Sequence, residues 1–246
     1  MNTGSPSTRP GIANHKGVSQ MVVQARAAAT RRRILEAAIT LFAENGYGET
    51  GLADVLQRAG VSKGAFYYHF DSKEAVASAI IDEFHQRSVE AVGSHFDFDA
   101  PSLEGIIRAT FAMQCLMRSD LSIKIGHELS QSLSQVSVAG AKMYSEWTER
   151  FADMVAAVIK AGELTADVDP ADASDAIWTG VLGSHLVSAA LGDDPFVRLA
   201  RSWRVLLRSL LPREDWPRFD ELLSRMVADY ADAPGVGANG LAASSS

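Results

Sequence analysis

From Ile34 onward apolar residues return every three or four positions. Ile34, Ala38, Leu41 and Phe42 make one stripe, and Asn45-Gly46 closes the helix that the stripe predicts. Thr50 stands where it can cap a short second helix with Leu52, Val55, Leu56 and Ala59 on its inner side, and Gly60 ends that helix. Ser62 caps a third, very short one. Asp71-Ser-Lys-Glu74 has the spacing of a capping box and opens a fourth helix that runs through Val76, Ile80 and Phe84 to about His95. After the break FDFDAP, Ser102 caps a fifth helix with Leu103, Ile106, Ile107, Thr110 and Phe111 inside. Residues 119–140 predict one short helix and a loop, and Tyr144, Trp147, Phe151, Met154 and Val158 mark the helix that follows. Two more, over 172–191 and 195–211, are apolar on more than one side. Asp215 with Pro217 starts a last helix that ends near Tyr230. Two-residue alternation is nowhere sustained, so the expected fold is all-α.

The ends lack this periodicity. Residues 1–24 are expected to form a disordered arm, 25–72 a small domain of short helices, 73–231 a larger helical domain, and 232–246 a second disordered tail. The 246 residues, 47% of them apolar, suffice for two packed domains. The net charge is −7, but it is unevenly spread: residues 1–70 hold eight Lys/Arg against four Asp/Glu, while 71–246 hold fifteen against twenty-six. A basic end on an acidic body suggests that the end meets a polyanion. One cysteine, Cys115, excludes a disulfide within the chain and a cysteine-based zinc cluster. The six histidines are scattered without ligand spacing, so no metal and no cofactor is expected. With no apolar leader and no apolar run near the ~18 residues of a membrane span, the chain reads as soluble and cytoplasmic.

The chemistry concentrates in VSKGAFYYHF, residues 61–70. A short helix, a tight turn at Gly60 and a second short helix from Ser62 form a helix-turn-helix, whose second helix enters the DNA major groove. The first amides of that helix, at Lys63 and Gly64, face outward at the positive end of a dipole and suit a phosphate. Gly64 lets a backbone approach, Lys63 adds charge, and Tyr67, Tyr68 and His69 add longer donors, while Phe66 and Phe70 face inward.

TRRRILEAAITLFAENGYGET followed by LADVLQRAGVSKGAFYYHFDSKEAV resembles the N-terminal domain of TetR-family transcriptional repressors, over roughly residues 28–80 without a gap. The resemblance implies that Thr50 and Lys73 hold phosphates from the starts of the second and fourth helices. It also implies that Ser62, Lys63, Gly64 and Ala65 meet the groove edge, that Tyr67 reaches bases, and that Tyr68 and His69 reach the backbone. Gly51 departs from the family pattern, which has Ser or Thr there, and is expected to weaken the start of the second helix. Arg31, Arg32 and Arg33 are open between a DNA-backbone role and simple solvation; Arg9 and Lys16 of the arm are open between a visit to a minor groove and a disordered tail without function.

A short recognition helix discriminates poorly alone, so a symmetric homodimer on palindromic double-stranded DNA is expected. The resemblance places the dimer face on the last long helices, with Ile177, Val181, Leu182, Leu186, Leu206, Leu207 and Leu210 as candidates; burial inside one chain is the alternative for these residues. DAPSLEGIIRATFAMQCL, YSEWTERFADMVAAVIKAGEL and VDPADASDAIWTGVLGSHLV together resemble the γ-butyrolactone-receptor branch of the family, in which a tryptophan matching Trp147 lines a ligand cavity. Trp147 and Gln114 sit on inward faces and need partners for their N–H groups, from a small-molecule effector or from the protein itself. Phe111, Trp178 and Thr179 complete the candidate ligand set; His185 is expected in the core or an interface. The expected function is a ligand-released repressor, with a DNA-binding regulator lacking an effector as the alternative. An enzyme built on Cys115 with His127 or His185 lacks any accompanying oxyanion-type sequence.

Overall fold

The computed structural model of the chain describes residues 13–133, 138–165 and 168–231. Its helices are α1 (Ala13–Asn45), α2 (Leu52–Ala59), α3 (Lys63–Tyr67), α4 (Lys73–Gly93), α5 (Leu103–Ser119), α6 (Leu121–Leu133), α7 (Val138–Lys160), α8 (Pro170–Leu191), α9 (Pro195–Leu210) and α10 (Trp216–Ala231), with a 3-10 turn at Arg213–Asp215. Among the described residues there is no strand, and no helix is long and apolar enough to cross a membrane. Two compact units divide between Val76 and Ala77.

In the first unit, Ile34, Leu35, Ala38 and Phe42 of α1 pack with Val55 and Ala59 of α2, and with Phe66 and Phe70 around α3. Each such large side chain contributes roughly 1.5–3 kcal/mol by leaving water, and together they hold two helices too short to persist alone. Gly60 makes the turn between them: it adopts the left-handed conformation (φ 61°, ψ 39°), and its N–H and that of Val61 donate to the carbonyls of Gln57 and Leu56.

Three boundaries differ from expectation. Residues 13–24, expected in the arm, belong to α1. No proline occurs between Pro10 and Pro101, and Ala27–Ala29 are strong helix formers; extending a helix already fixed by its core face costs far less than nucleating one. At α2 the cap is Gly51, not Thr50. At α4 the cap is Ser72 in place of Asp71: the Ala75 N–H donates to Ser72 Oγ at 3.2 Å. Glu74 therefore sits in the first turn, where its own backbone N–H and then Ser72 hold its carboxyl below the usual range.

In the second unit, Ser102 caps α5 as its spacing predicts, accepting from the Gly105 N–H at 3.1 Å, and Leu103, Ile106, Ile107 and Phe111 are buried. The Trp203 indole N–H donates to Thr110 Oγ1 at 3.0 Å, which ties α9 to α5. The region read as one short helix and a loop contains the thirteen-residue α6, and residues 134–137 lie outside the described ones. Gly126 on α6 lets α4 approach closely: a Cβ there would lie 2.4 Å from Phe84 Cβ.

The expected dimer residues separate into three groups. Ile177, Leu207 and Leu210 are buried within the single chain, so they belong to its own core. Val181 and Leu182 line an internal cavity, and Leu206 packs beside Gly180 where α8 meets α9. Of the seven, Leu186 alone is well exposed, accompanied by Val187, Leu191 and Val205. The broad apolar circumference of α8 thus serves core, cavity and surface at once.

Candidate DNA interface and ligand cavity

Within the first unit, α3 is anchored by one face and open on the other. Phe66 is fully buried, with its ring edge-on to Tyr67, whereas Tyr67 is 46% and Tyr68 76% exposed. The Ala65 N–H donates to Ser62 Oγ at 3.2 Å, and the first helical bond runs from the Phe66 N–H to the Ser62 carbonyl. The amides of Lys63 and Gly64 precede that bond, and both residues are exposed. The Lys63 ammonium lies 5.9 Å from the Tyr67 ring centre, and His69 is half-buried, edge-on to Tyr68. Ser62, Lys63, Gly64, Tyr67 and Tyr68 thus share one solvent-facing surface of donors and a cation, with Ala65 partly covered at its edge.

Two expected phosphate ligands are placed otherwise. Thr50 is 1% exposed, and its hydroxyl donates inward to the Gly46 carbonyl at 2.8 Å, with that of Leu41 at 3.3 Å. Its side chain offers nothing to a phosphate; instead it locks the loop between α1 and α2. Lys73 donates from Nζ to the carbonyls of Tyr47 and Thr50, both at 2.8 Å, with the ammonium 4.3 Å from the Tyr47 ring centre. Two of its three N–H bonds are therefore committed within the protein. Gly51, expected to weaken α2, is compensated in part: its N–H donates to Asp54 Oδ2 at 2.9 Å. Tyr47, to which the sequence pattern assigns no role, is the platform for Lys73, and its hydroxyl donates to Glu74 at 3.4 Å. Burial, and after it Glu74, raises the Tyr47 pKa. Of the three arginines, Arg31 stacks its guanidinium 5.1 Å from the Phe70 ring centre.

The second unit encloses a cavity of about 590 Å³, counting its part open to solvent. Its walls come from Phe84 and Val92 on α4, Met113 and Met117 on α5, His127 on α6, Tyr144, Trp147 and Phe151 on α7, and Trp178, Val181, Leu182 and His185 on α8. Trp147 and Trp178 stack with centres 6.2 Å apart and planes 17° from parallel, and Phe151 adds a third ring 5.0 Å from Trp178. Such a lining, apolar with few polar groups, suits a neutral, largely apolar small molecule.

The other three candidate ligand residues do not line this cavity. Phe111 is fully buried and stacks with Phe196, 6.1 Å away, and against Tyr230. Gln114 is buried with Oε1 accepting from His185 Nδ1 at 3.2 Å, so a neighbouring side chain satisfies it. Thr179 faces solvent, one helical step from Trp178. What sequence reasoning missed is the pair His127 and His185, whose rings meet edge to face at 4.7 Å. Their separation by 58 positions on different helices left no periodic signal in the sequence. Burial, and after it His185, pushes the His127 pKa down to about 3; burial, then Lys124, lowers that of His185. Burial raises the Cys115 thiol, opposite to what a thiolate nucleophile needs.

Comparison with known proteins agrees with both halves of this description. Residues 34–80 match the family model for bacterial regulatory proteins of the tetR family, and residues 121–203 match that for a tetracyclin repressor-like C-terminal domain. The A-factor receptor protein of Streptomyces griseus is 32% identical over 192 residues, covering 77% of this chain and 67% of that protein. The crystal structure of a gamma-butyrolactone receptor (ArpA-like protein) superposes with a TM-score of 0.66 at 27% identity, over 82% of this chain and 99% of the other. CprB from Streptomyces coelicolor, solved in complex with its biological operator sequence, superposes with a TM-score of 0.64 at 27% identity, over 83% and 99%. The family models describe regulatory proteins rather than enzymes, and CprB was captured on operator DNA. The chain belongs to the TetR family of DNA-binding transcriptional regulators.

Proposed function

We propose that this regulator is a repressor released by a small molecule: a cytoplasmic homodimer that holds a palindromic operator until a neutral or weakly polar effector, γ-butyrolactone-like in character, enters the second unit. The observation that carries this reading is the Trp147–Trp178 cavity, found in the same chain as the exposed Lys63–Tyr67–Tyr68 surface. Support comes from the relatives: one is named a receptor for A-factor, one a gamma-butyrolactone receptor, and one was captured on its operator.

In this reading the two α3 helices of a dimer meet successive major grooves roughly 34–36 Å apart. Lys63 and the leading amides of α3 hold phosphates, Tyr67 reaches base edges, and Tyr68 and His69 contact the backbone. A ligand lowers DNA affinity only by its preference for a dimer with different spacing. Helix α4 is the natural transmitter, because it starts in the first unit and supplies Phe84 and Val92 to the cavity wall.

The test is a fluorescence-anisotropy titration of labelled inverted-repeat duplexes, including those flanking the coding region, followed by addition of alkyl-γ-butyrolactones to the complex. Sequence-specific binding followed by lactone-dependent loss of anisotropy supports the whole reading. Specific binding that no lactone reverses leaves the regulator and removes its proposed effector class.

A further inference from the structure

The cavity lining is largely apolar, and the pole formed by His127 and His185 contains an unsatisfied group. His127 is 5% exposed and lines the wall, and its Nδ1 is buried without a hydrogen-bond partner among the described residues. The rings of Phe84, 5.6 Å away, and His185, 4.7 Å away, meet it in T-shaped contacts. Its other nitrogen, Nε2, lies 3.4 Å from the amide Nε2 of Gln131. With the Gln131 amide oriented this way its nitrogen donates, and His127 Nε2 accepts. A neutral imidazole carries one ring hydrogen, which then resides on Nδ1. Burial keeps the ring neutral through the physiological range. With that tautomer the wall of the cavity holds an N–H donor with no acceptor among the described residues, an arrangement that is costly unless an acceptor arrives.

We infer that His127 is the polar recognition residue of the cavity, and that its Nδ1–H donates to an uncharged oxygen, carbonyl or hydroxyl, on an otherwise apolar effector. The inference rests on the effector reading above and sharpens it. A carboxylate would bring a buried charge with no cation in the cavity lining to meet it, and an ammonium would face a donor. A hydrocarbon would fill the space but leave the N–H unpaired. His185 acts differently, giving its Nδ1–H to Gln114 and closing one side of the pole.

The experiment uses the full-length protein and two probes of similar shape: γ-nonalactone, which carries a carbonyl, and pentylcyclopentane, which carries no oxygen. Binding is read from the change in tryptophan fluorescence, to which Trp147 and Trp178 contribute from the cavity wall, and release from operator anisotropy. The quantity of interest is the ratio of the two dissociation constants, compared between the parent, His127→Phe and His127→Asn. Phe keeps a ring of similar size without a donor; the Asn amide returns a donor near the position of Nδ1. The expected result is a ratio shifted about tenfold against the lactone in His127→Phe and largely restored in His127→Asn. An unchanged ratio in His127→Phe overturns the inference, even where the lactone still releases DNA. Lactone binding that depends on His127 but releases no operator upholds the inference and overturns the release reading. A parent chain that binds neither probe overturns both.

Discussion

At the scale of single residues, the two halves of the chain use polar groups in opposite ways. In the first unit Lys73 directs its charge inward, to two carbonyls and the face of Tyr47. A residue of this kind supports the DNA surface without having to touch DNA. Lys73→Met retains the stem and removes the donors, and it is expected to destabilise the first unit by about 1–3 kcal/mol, since two carbonyls lose a charged partner. Thermal unfolding of the free protein checks this. A wild-type melting curve accompanied by weaker operator binding would instead make Lys73 a plain phosphate ligand. In the second unit His127 titrates far below an unfolded-chain histidine, at about 3 against 6.5. The folded state therefore resists a proton that the unfolded state accepts as pH falls below 6.5. Stability is full above that value and declines on acidification by about 1.4 kcal/mol per pH unit until the folded pKa is reached. Between pH 7 and pH 5 the loss from His127 is about 2 kcal/mol, and the lowered pKa of His185 acts in the same direction. Urea unfolding at the two pH values, in the parent and in His127→Phe, is expected to show a smaller acid loss in the variant.

At the scale of elements, the helix-turn-helix depends on one backbone geometry. Gly60 has a positive φ, and a Cβ built there meets nothing within 4 Å. Gly60→Ala therefore adds no clash, and its whole cost is left-handed strain, about 1 kcal/mol. The expected outcome is a modest fall in melting temperature with a larger fall in operator affinity, because α3 is aimed by that turn. Circular dichroism and anisotropy on the same variant compare the two effects. Gly60, Ser62, Ser102 and the apolar stripes were legible in the sequence because each acts through a local rule: a left-handed turn, a cap, a helical period. The inward turn of Thr50 was not legible, since a threonine beside a helix start satisfies the same local rule whether it faces out or in. Only the distant carbonyls of Leu41 and Gly46 decide it. The cavity was half legible for a similar reason. Trp147 and Trp178 announce themselves by size, whereas Phe111, on an equally apolar stripe, packs against Phe196 and Tyr230, which lie more than 80 positions along the chain. The His127–His185 pole depends on two side chains of α6 and α8 meeting across the unit, and no period within either helix encodes it.

At the scale of the whole molecule, the proposed homodimer needs a surface that joins two copies. The core of the single chain already contains Ile177, Leu207 and Leu210, so these residues cannot also form a contact with a second chain. What remains outside is Leu186 at 58% exposure with Val187 and Leu191 on α8, and Val205 at 67% on α9. Small residues, Ala176, Gly183 and Ala190, follow the same outward face of α8 at helical spacing and would let a second helix approach closely. An isologous contact uses this same patch on both chains, residue i meeting residue j and j meeting i across the twofold axis. Replacing Leu186 and Val205 together by Glu therefore places four carboxylates in an interface that must exclude water, while each single chain keeps its core intact. Burying unpaired charges costs far more than such an interface gains per residue. Light scattering on the double variant is expected to give the mass of one chain where the parent gives two, with the helical circular dichroism retained. Operator affinity is expected to collapse to weak, strongly salt-dependent binding, because one α3 contacts only one half-site. If the double variant remains a dimer with parental affinity, the exposed face of α8 and α9 is not what joins the copies, and the spacing of the recognition helices is set elsewhere in the chain.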